Sequence, residues 1–413
     1  MSERPDEFDV IIVGGGMVGA AAASLLGRCG FSAALVESRP PDRFDPAGEV
    51  GLRVSAISPG SANILAQAGA WERIESLRAC PYRAMHVEEA GHAGGLDFEA
   101  EAFGLERLGT IVENDLVQSA LWGALESNPM IEVHCPAEVA SLQDSGARVE
   151  VTLDSGKRLG ASLLLAADGG ASPLRRRMGI RQDIWEYNQQ GIVCVASTDP
   201  VNPGVAWQRF LPGGPLAFLP LSDGRSSLVW TRPREAAGEL LGRSDEAFIE
   251  ALNEAAEGGP GRVLTVGKRA GFPLAMRLSE SYCSGRVALL GDAAHVVHPL
   301  AGQGVNLGLA DAAALVEVLV EGRRGSEEPD LDRCLARWQR WRRSESELMA
   351  GGTHAIRALF TPPMLAGARA VGLRLVGKSW LARDFFIRRA AGIGRNAPRL
   401  SRGTSLKDLL RAS

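Results

Sequence analysis

The chain has 413 residues, 45% of them apolar and 23% charged, with a formal net charge of −4. That length accommodates two or three domains and a core large enough to enclose a cofactor, and the charge balance excludes a nucleic-acid binder held by a basic surface. Six cysteines (Cys29, Cys80, Cys135, Cys194, Cys283, Cys334) lie scattered without a CxxC pair, which excludes a zinc site of that kind and a disulfide framework and fits reduced thiols.

The start, Met1 to Glu7, is polar and acidic and runs directly into a strand, so a secretory signal is not expected. Phe8 to Val13 reads as a buried strand ending at Gly14, Val18 to Leu26 as an Ala-rich helix, and Ala33 to Val36 as a second strand. This βαβ unit sets an α/β expectation. A helix is predicted from Pro59 to Gly69, with Gly69 as its stop. Met85 to Phe98 reads as a hairpin around Gly91 to Gly95, Asn114 to Leu125 as a helix, and Leu163 to Ala167 as a short buried strand. From Gly191 to Pro220 the chain is β-branched and punctuated by Gly and Pro, the pattern of a separate β-rich layer. Arg286 to Leu290 reads as another buried strand, Val305 to Val320 as a helix, and the chain after Asp330 as helical, rich in Arg with a few Trp. No run approaches the ~20 apolar residues of a transmembrane helix, so the expected location is cytoplasmic, with any membrane contact peripheral.

Three motifs carry the chemistry. The first is Gly14-x-Gly16-x-x-Gly19 between a strand and a helix. Gly14 permits the tight turn, Gly16 lets backbone approach a pyrophosphate, and Gly19 lets the helix pack on the strand. The helix start supplies free N–H groups for the phosphates, and Glu37, closing the second strand, is placed to accept ribose hydroxyls. The alternative is a Gly-rich turn with a solvated Glu37. The second motif is Ala167-Asp168-Gly169-Gly170-Ala171-Ser172-Pro173-Leu174-Arg175. Its glycines bring backbone close to a cofactor, or Asp168 simply caps the following helix. The third is Gly291-Asp292-Ala293-Ala294-His295, followed by His298-Pro299-Leu300-Ala301-Gly302-Gln303-Gly304-Val305-Asn306-Leu307-Gly308 and Asp311. There a strand delivers Asp292 to a turn where its carboxylate can take a chain of sugar-like hydroxyls. Gly302 to Asn306 opens a helix whose free N–H groups suit the negative charge of a reduced flavin ring.

Together and in this order, these motifs resemble the FAD monooxygenases of the para-hydroxybenzoate hydroxylase type. The run His298 to Asp311 is similar to the signature of the ubiquinone-biosynthesis hydroxylases within that group. The likeness extends to Leu52-Arg53-Val54-Ser55-Ala56-Ile57, to Ile111-Val112-Glu113-Asn114 with Ala120-Leu121-Trp122, to Trp185-Glu186-Tyr187 and Phe218-Leu219-Pro220-Leu221, and to Arg340-Trp341-Arg342-Arg343 with Glu347-Leu348-Met349. It implies an α/β chain: a Rossmann-type, glutathione reductase-like FAD-binding domain, an inserted β-sheet substrate domain and a C-terminal helical region. The expected bounds are 1–80, 105–182 and 278–330 for the first, 81–104 and 183–277 for the second, and 331–413 for the third.

The resemblance implies that Gly14, Gly16, Val18 and Gly19 receive the FAD pyrophosphate end and Glu37 the adenosine ribose. Arg53 and Gln118 are expected along the cofactor, with a surface salt bridge as the other reading of Arg53, and Val139 meets the adenine through its backbone. Asp168 and Arg175 stabilise the FAD region, Asp292 binds the ribityl chain, and Gly302, Gly304, Val305 and Asn306 place N–H groups at the flavin edge. His298 and Pro299 are expected near the flavin, Pro299 as a rigid element. His295 and His298, without an acid in register, make a poor metal site, and no metal is expected. Both read as holding the flavin loop rather than moving protons, so no catalytic side chain is named. Tyr187, Phe218, Pro220 and Trp230 line a ring pocket or pack the core.

The implied activity is single-component hydroxylation of a polyprenylated phenol in ubiquinone biosynthesis: NAD(P)H, bound transiently, reduces FAD, O2 adds at flavin C4a as the hydroperoxide, and an oxygen atom passes to the ring. Other classes are an FAD-dependent isoprenoid or quinone reductase or dehydrogenase, and a non-catalytic subunit of a ubiquinone-synthesis complex. The segment Lys378 to Arg389 mixes basic and bulky apolar residues, which suits an interfacial helix at the inner face of a membrane or a helix packed on the FAD domain.

Overall fold

The structure is a computed structural model that describes residues 4–91, 95–257, 259–297, 304–323, 329–360, 384 and 387–411. The first strand, β1 (Asp6–Val13), is buried through Val10, Ile11 and Ile12, as expected of a strand covered on both faces. It turns through the first glycine motif into α1 (Met17–Arg28) and returns as β2 (Ala33–Val36). β1 and β2 pair in parallel, Val10 opposite Ala33 and Val13 opposite Val36. The chain continues through β3 (Val54–Ile57), α2 (Pro59–Gln67), α3 (Trp71–Ser76), β4 (Cys80–Tyr82), β5 (Ala84–Glu89), β6 (Gly95–Glu99) and β7 (Gly109–Glu113). Next come α4 (Asn114–Glu126), β8 (Ile131–His134), β9 (Val139–Asp144), β10 (Val149–Leu153), β11 (Arg158–Ala166) and α5 (Pro173–Arg177). A β-rich stretch follows: β12 (Gln182–Asp199), β13 (Val205–Leu211), β14 (Gly214–Pro220), β15 (Ser226–Pro233), α6 (Arg234–Leu241), α7 (Asp245–Ala256) and β16 (Arg262–Ser279). The remainder is β17 (Cys283–Ser284), β18 (Val287–Leu289), β19 (His295–Val296), α8 (Gly304–Gly322), α9 (Leu331–Phe360) and α10 (Leu406–Arg411).

These strands form two large sheets and a small one. The first has the order β17-β18-β11-β1-β2-β8, parallel from β18 to β8, with the β9–β10 hairpin attached to β11. Its core joins the sheet to α1, α4 and α8, and Cys334, Leu335 and Trp338 of α9 belong to the same core. Gly19 lets α1 close on the turn after β1, and Gly308 lets α8 close on α1: a methyl group at Gly308 would lie 2.6 Å from Val18 Cγ2.

The second sheet has the order β19-β16-β12-β15-β14-β13-β5-β6 and draws strands from residues 84–99 and 182–279, with β19 at its edge. β12 and β16 run antiparallel over almost their whole length. One face is covered by α6 and α7, which close a second core around Leu216, Phe218, Leu228, Trp230 and Phe248. The other face turns toward the first sheet. A third sheet, β3-β7-β4, sits at the end of the gap between them.

Candidate functional site

Between the parallel sheet and the free face of the antiparallel sheet lies a cavity of about 490 Å³. Gly16, Met17 and Val18 at the start of α1 form one side, with Gly169, Asp292, Gly304 and Val305. Leu52 to Ser55 and Asn114 close one end, and Gly191, Val193, Ser227, Val229 and Phe272 to Ala275 form the opposite wall.

The first motif behaves as packing requires. Gly14 has φ +107°, and a Cβ there would stand 2.3 Å from the Ala167 carbonyl oxygen; at Gly19 it would stand 1.9 Å from that of Gly14. Gly16 differs, since nothing lies within 4 Å of the place a Cβ would take, so its backbone opens onto free space. α1 begins there without a side-chain cap and without an acid in its first turn, which leaves N–H groups and the positive dipole end for an anion. Glu37 follows β2 and accepts from Gly15 N at 2.5 Å and Arg39 N at 3.0 Å. The Gly15 carbonyl accepts from Gln118 Nε2 at 3.0 Å and Trp122 Nε1 at 2.8 Å. These two side chains, one helical turn apart on α4, hold the turn from behind. Trp122 went unread as a site residue; its spacing from Gln118 was the available signal.

In the second motif the helix cap is Ser172, whose Oγ accepts from Arg175 N at 2.9 Å, while Asp168 Oδ2 accepts from Leu174 N at 3.1 Å. The simple cap expected of Asp168 is thus shared with Ser172. Burial pushes the Asp168 carboxyl above its usual range, against hydrogen bonds from Ser172 and Leu174 and the charge of Arg175. Arg175 reaches the carbonyls of Gly170 and Ala293, both at 3.2 Å, and so ties the second motif to the third. Arg277 donates to the same Gly170 carbonyl at 3.1 Å.

Asp292 sits in the short turn after β18, exposed within the cavity. Crowding by protein pushes its carboxyl above the ordinary range, and the charges of His295, Arg53 and Arg277 pull it back in part. Beneath this turn lies a buried ionic cluster. Asp311 is fully buried and accepts from His295 Nε2 at 2.6 Å, Arg342 Nε at 2.7 Å and Gly291 N at 3.2 Å. Burial drives the Asp311 carboxyl up, but the His295 and Arg342 charges and their hydrogen bonds outweigh it and hold the pKa below the usual range. The carboxylate is therefore ionised, and His295 Nε2 must carry the donated proton. Asn306 clamps α8 to the third sheet: its Nδ2 donates to Ala56 O at 2.8 Å and its Oδ1 accepts from Ser58 N at 3.0 Å. α8 also has no acid in its first turn.

The structure gathers Gly16, Val18, Arg53, Asp292, Gly304 and Val305 around the one cavity. Arg53 lies 5.9 Å from the centre of the Phe272 ring, and among the described residues it makes no close salt bridge, though its charge is felt by Asp292. Gly14, Gly19, Glu37, Gln118, Asp168 and Asn306 stand one layer behind. Val139 is on β9, where its carbonyl accepts from Arg177 Nη1 at 3.2 Å, away from the cavity wall. His298, Pro299 and Gly302 lie outside the described residues, as does most of Lys378 to Arg389.

Of the two readings of Tyr187, Phe218, Pro220 and Trp230, core packing holds and the ring pocket does not. Phe218 and Trp230 face α6 and α7, with Trp230 6.3 Å from Phe248 and Phe218 5.4 Å from Trp207. Tyr187 packs on Met276 and Ala350, and Pro220 is buried in β14. The reason is the two-residue period of strands: Ile192, Leu228 and Trp230 point to the helices, so Gly191, Val193, Ser227 and Val229 point to the cavity.

The sequence profile of the family described as "FAD binding domain" matches residues 7–340. The chain is 34% identical to the 3-demethoxyubiquinol 3-hydroxylase of Escherichia coli (strain K12), over 95% of this chain and 100% of that one. It is 38% identical to the mitochondrial ubiquinone biosynthesis monooxygenase COQ6 of Danio rerio, over 76% of this chain and 74% of that one. Its fold superposes on Klebsiella pneumoniae HpxO, solved with FAD and uric acid, with a TM-score of 0.73 at 18% identity, over 95% of this chain and 98% of that one.

Proposed function

The chain belongs to the FAD binding domain family, and from that membership we propose an assignment of reaction, substrate and residues. The protein is an FAD-dependent hydroxylase of ubiquinone biosynthesis, using NAD(P)H and O2. The observation that carries the assignment of residues is the cavity itself. One side offers the uncapped start of α1, the start of α8 with no acid in its first turn, and the Asp292 carboxylate, and the other is an almost wholly apolar sheet wall.

FAD fits the residues present. Gly16 leaves space where a pyrophosphate must approach, and the start of α1 carries no acid to repel it. We assign Gly14, Gly16, Val18 and Gly19 to the phosphates, Glu37 to the adenosine ribose and Val139 to the adenine. Arg53, Gln118 and Asp168 lie along the cofactor, and Asp292 takes the ribityl hydroxyls. Pro299, Gly302, Gly304, Val305 and Asn306 take the flavin edge, with His298 beside it. We assign the domains as the bounds above have them.

FAD, reduced by NAD(P)H, supplies the electrons and the oxygen-activating ring that side chains lack. The chain's own residues orient and shelter the reactants. Gly304 and Val305 offer helix-start N–H groups to negative charge. Val193, Val229 and Leu274 keep water from the face where the oxygen atom is transferred. Arg53 packs against the Phe272 ring and adds a cation at the margin.

The substrate we propose is a polyprenylated phenol, whose ring enters the apolar half of the cavity. We further propose a cytoplasmic protein in peripheral contact with the inner face of the membrane, and membership of a ubiquinone-synthesis complex, since the prenyl tail resides in lipid. Among the described residues no helix is long and apolar enough to cross a membrane. The test is quinone-intermediate profiling in a strain lacking this protein. Accumulation of a prenylated phenol one ring oxygen short supports the reading and names the carbon; an unchanged profile contradicts it.

A further inference from the structure

Ser227 is an exception in the cavity wall. It lies on β15, opposite Val195 of β12 and Leu219 of β14. The wall contributed by the antiparallel sheet is otherwise Gly, Val, Phe, Pro, Leu and Ala. Ser227 is 1% exposed and borders the cavity at the end closed by the small cluster of Ile111, Val195 and Leu221. Among the described residues its hydroxyl has no hydrogen-bond partner, and its oxygen is not sealed in protein but opens on the cavity. The adjacent Ser226 points to the other face, where its Oγ accepts from Asn202 Nδ2 at 3.1 Å. Asn114 and Ser55, also at the cavity, already satisfy each other at 2.7 Å.

A hydroxyl that opens on an otherwise apolar cavity and has no protein partner must be paired by the cavity's occupant once water is displaced, or its hydrogen bonds are lost. A serine hydroxyl offers one donor and two acceptor sites, so the group that completes it is a neutral, small polar atom on an otherwise apolar molecule. We propose that Ser227 is a specificity residue that receives the ring hydroxyl of the phenol and sets the depth and rotation of the ring in the cavity. This rests on the reading of the cavity as an FAD-dependent hydroxylase site and adds to it the atom by which the ring is recognised. It also gives the second sheet a role in choosing which ring carbon faces the cofactor, because turning the hydroxyl away from Ser227 leaves both polar groups unpaired.

The experiment compares wild type, Ser227→Ala and Ser227→Thr as FAD-loaded protein without reductant, so that binding is read without turnover. The probes are a short-chain alkylated phenol and the same ring lacking its hydroxyl, followed through the flavin absorbance. Ser227→Ala is expected to weaken the phenol about tenfold and leave the deoxygenated ring unchanged, while Ser227→Thr retains phenol binding. The apoprotein melting temperature of Ser227→Ala is expected to stay level or rise, because an unpaired hydroxyl has been removed. A serine with a merely structural role would lower it. The inference is overturned if both rings lose affinity equally, if neither does, or if the alanine variant melts earlier. Wild type that binds FAD and the phenol while the variants show no discrimination removes this inference alone; wild type that takes up no FAD or no phenol removes the hydroxylase reading with it.

Discussion

His295 Nε2 donates to Asp311 Oδ2 across 2.6 Å at a site where both side chains are shielded from solvent, 1% and 0% exposed. The pair links the turn that carries Asp292 to the middle of α8, and Arg342, reaching in from α9, supplies the compensating cation at 2.7 Å. A buried ionic cluster thus holds the turn that carries Asp292 against α8 and α9, and His295 is engaged in that cluster.

Neutralising the acid should expose this dependence. In Asp311→Asn the Arg342 charge stays buried without its partner, and a loss of about 3–5 kcal/mol is expected. The Asp311 carboxyl titrates below its unfolded value, so its contribution is present above about pH 3.9 and is lost as pH falls through the lower folded value. Urea denaturation across acidic pH is the measurement: wild type should lose this increment on acidification and the variant should lack it throughout. Equal stability at neutral pH would contradict the role.

Two glycines of one motif should fail in different ways. Gly19→Ala places a methyl group against the Gly14 carbonyl and should destabilise the apoprotein or prevent folding. Gly16→Ala meets open space at an ordinary negative φ of −67°, so the apoprotein should melt as wild type does while FAD affinity falls. Melting of apoprotein and titration with FAD separate the two; full FAD affinity in Gly16→Ala would contradict the phosphate assignment.

Asp292→Ala should weaken FAD by about tenfold to a hundredfold, the scale of a lost charge-assisted hydrogen bond. Because crowding raises the Asp292 carboxyl, it protonates at a higher pH than an ordinary aspartate as solution is acidified. FAD release from wild type should therefore begin above the usual aspartate range, a step that Asp292→Asn lacks. Flavin content after gel filtration at stepped pH reads both effects, and full retention by Asp292→Ala would remove the ribityl assignment.

What could be read from sequence followed from the range of the interactions. The strand–glycine–helix turn at Gly14 to Gly19, the helix at Asn114 and the strand leading to Asp292 are local patterns, and they stand where the spacing puts them. The cavity wall is not local. Alternation shows that Ile192 and Val193 face opposite ways, but only the covering helices α6 and α7 decide which face is core. For Phe218 and Trp230 the sequence leaves ring pocket and core packing both open, and it is the second core that takes them. Arg342 stands in a run that carries the resemblance, but no local pattern names its partner, Asp311, 31 residues earlier.

The most direct test of the account is to run the FAD-loaded protein with NAD(P)H and a short-chain alkylated phenol under isotopically heavy oxygen gas, and to weigh the product. The account predicts a phenol carrying one heavy oxygen atom on its ring, formed with one NAD(P)H oxidised per product. A product that has gained or lost only hydrogen, or a ring oxygen without the label, would contradict it.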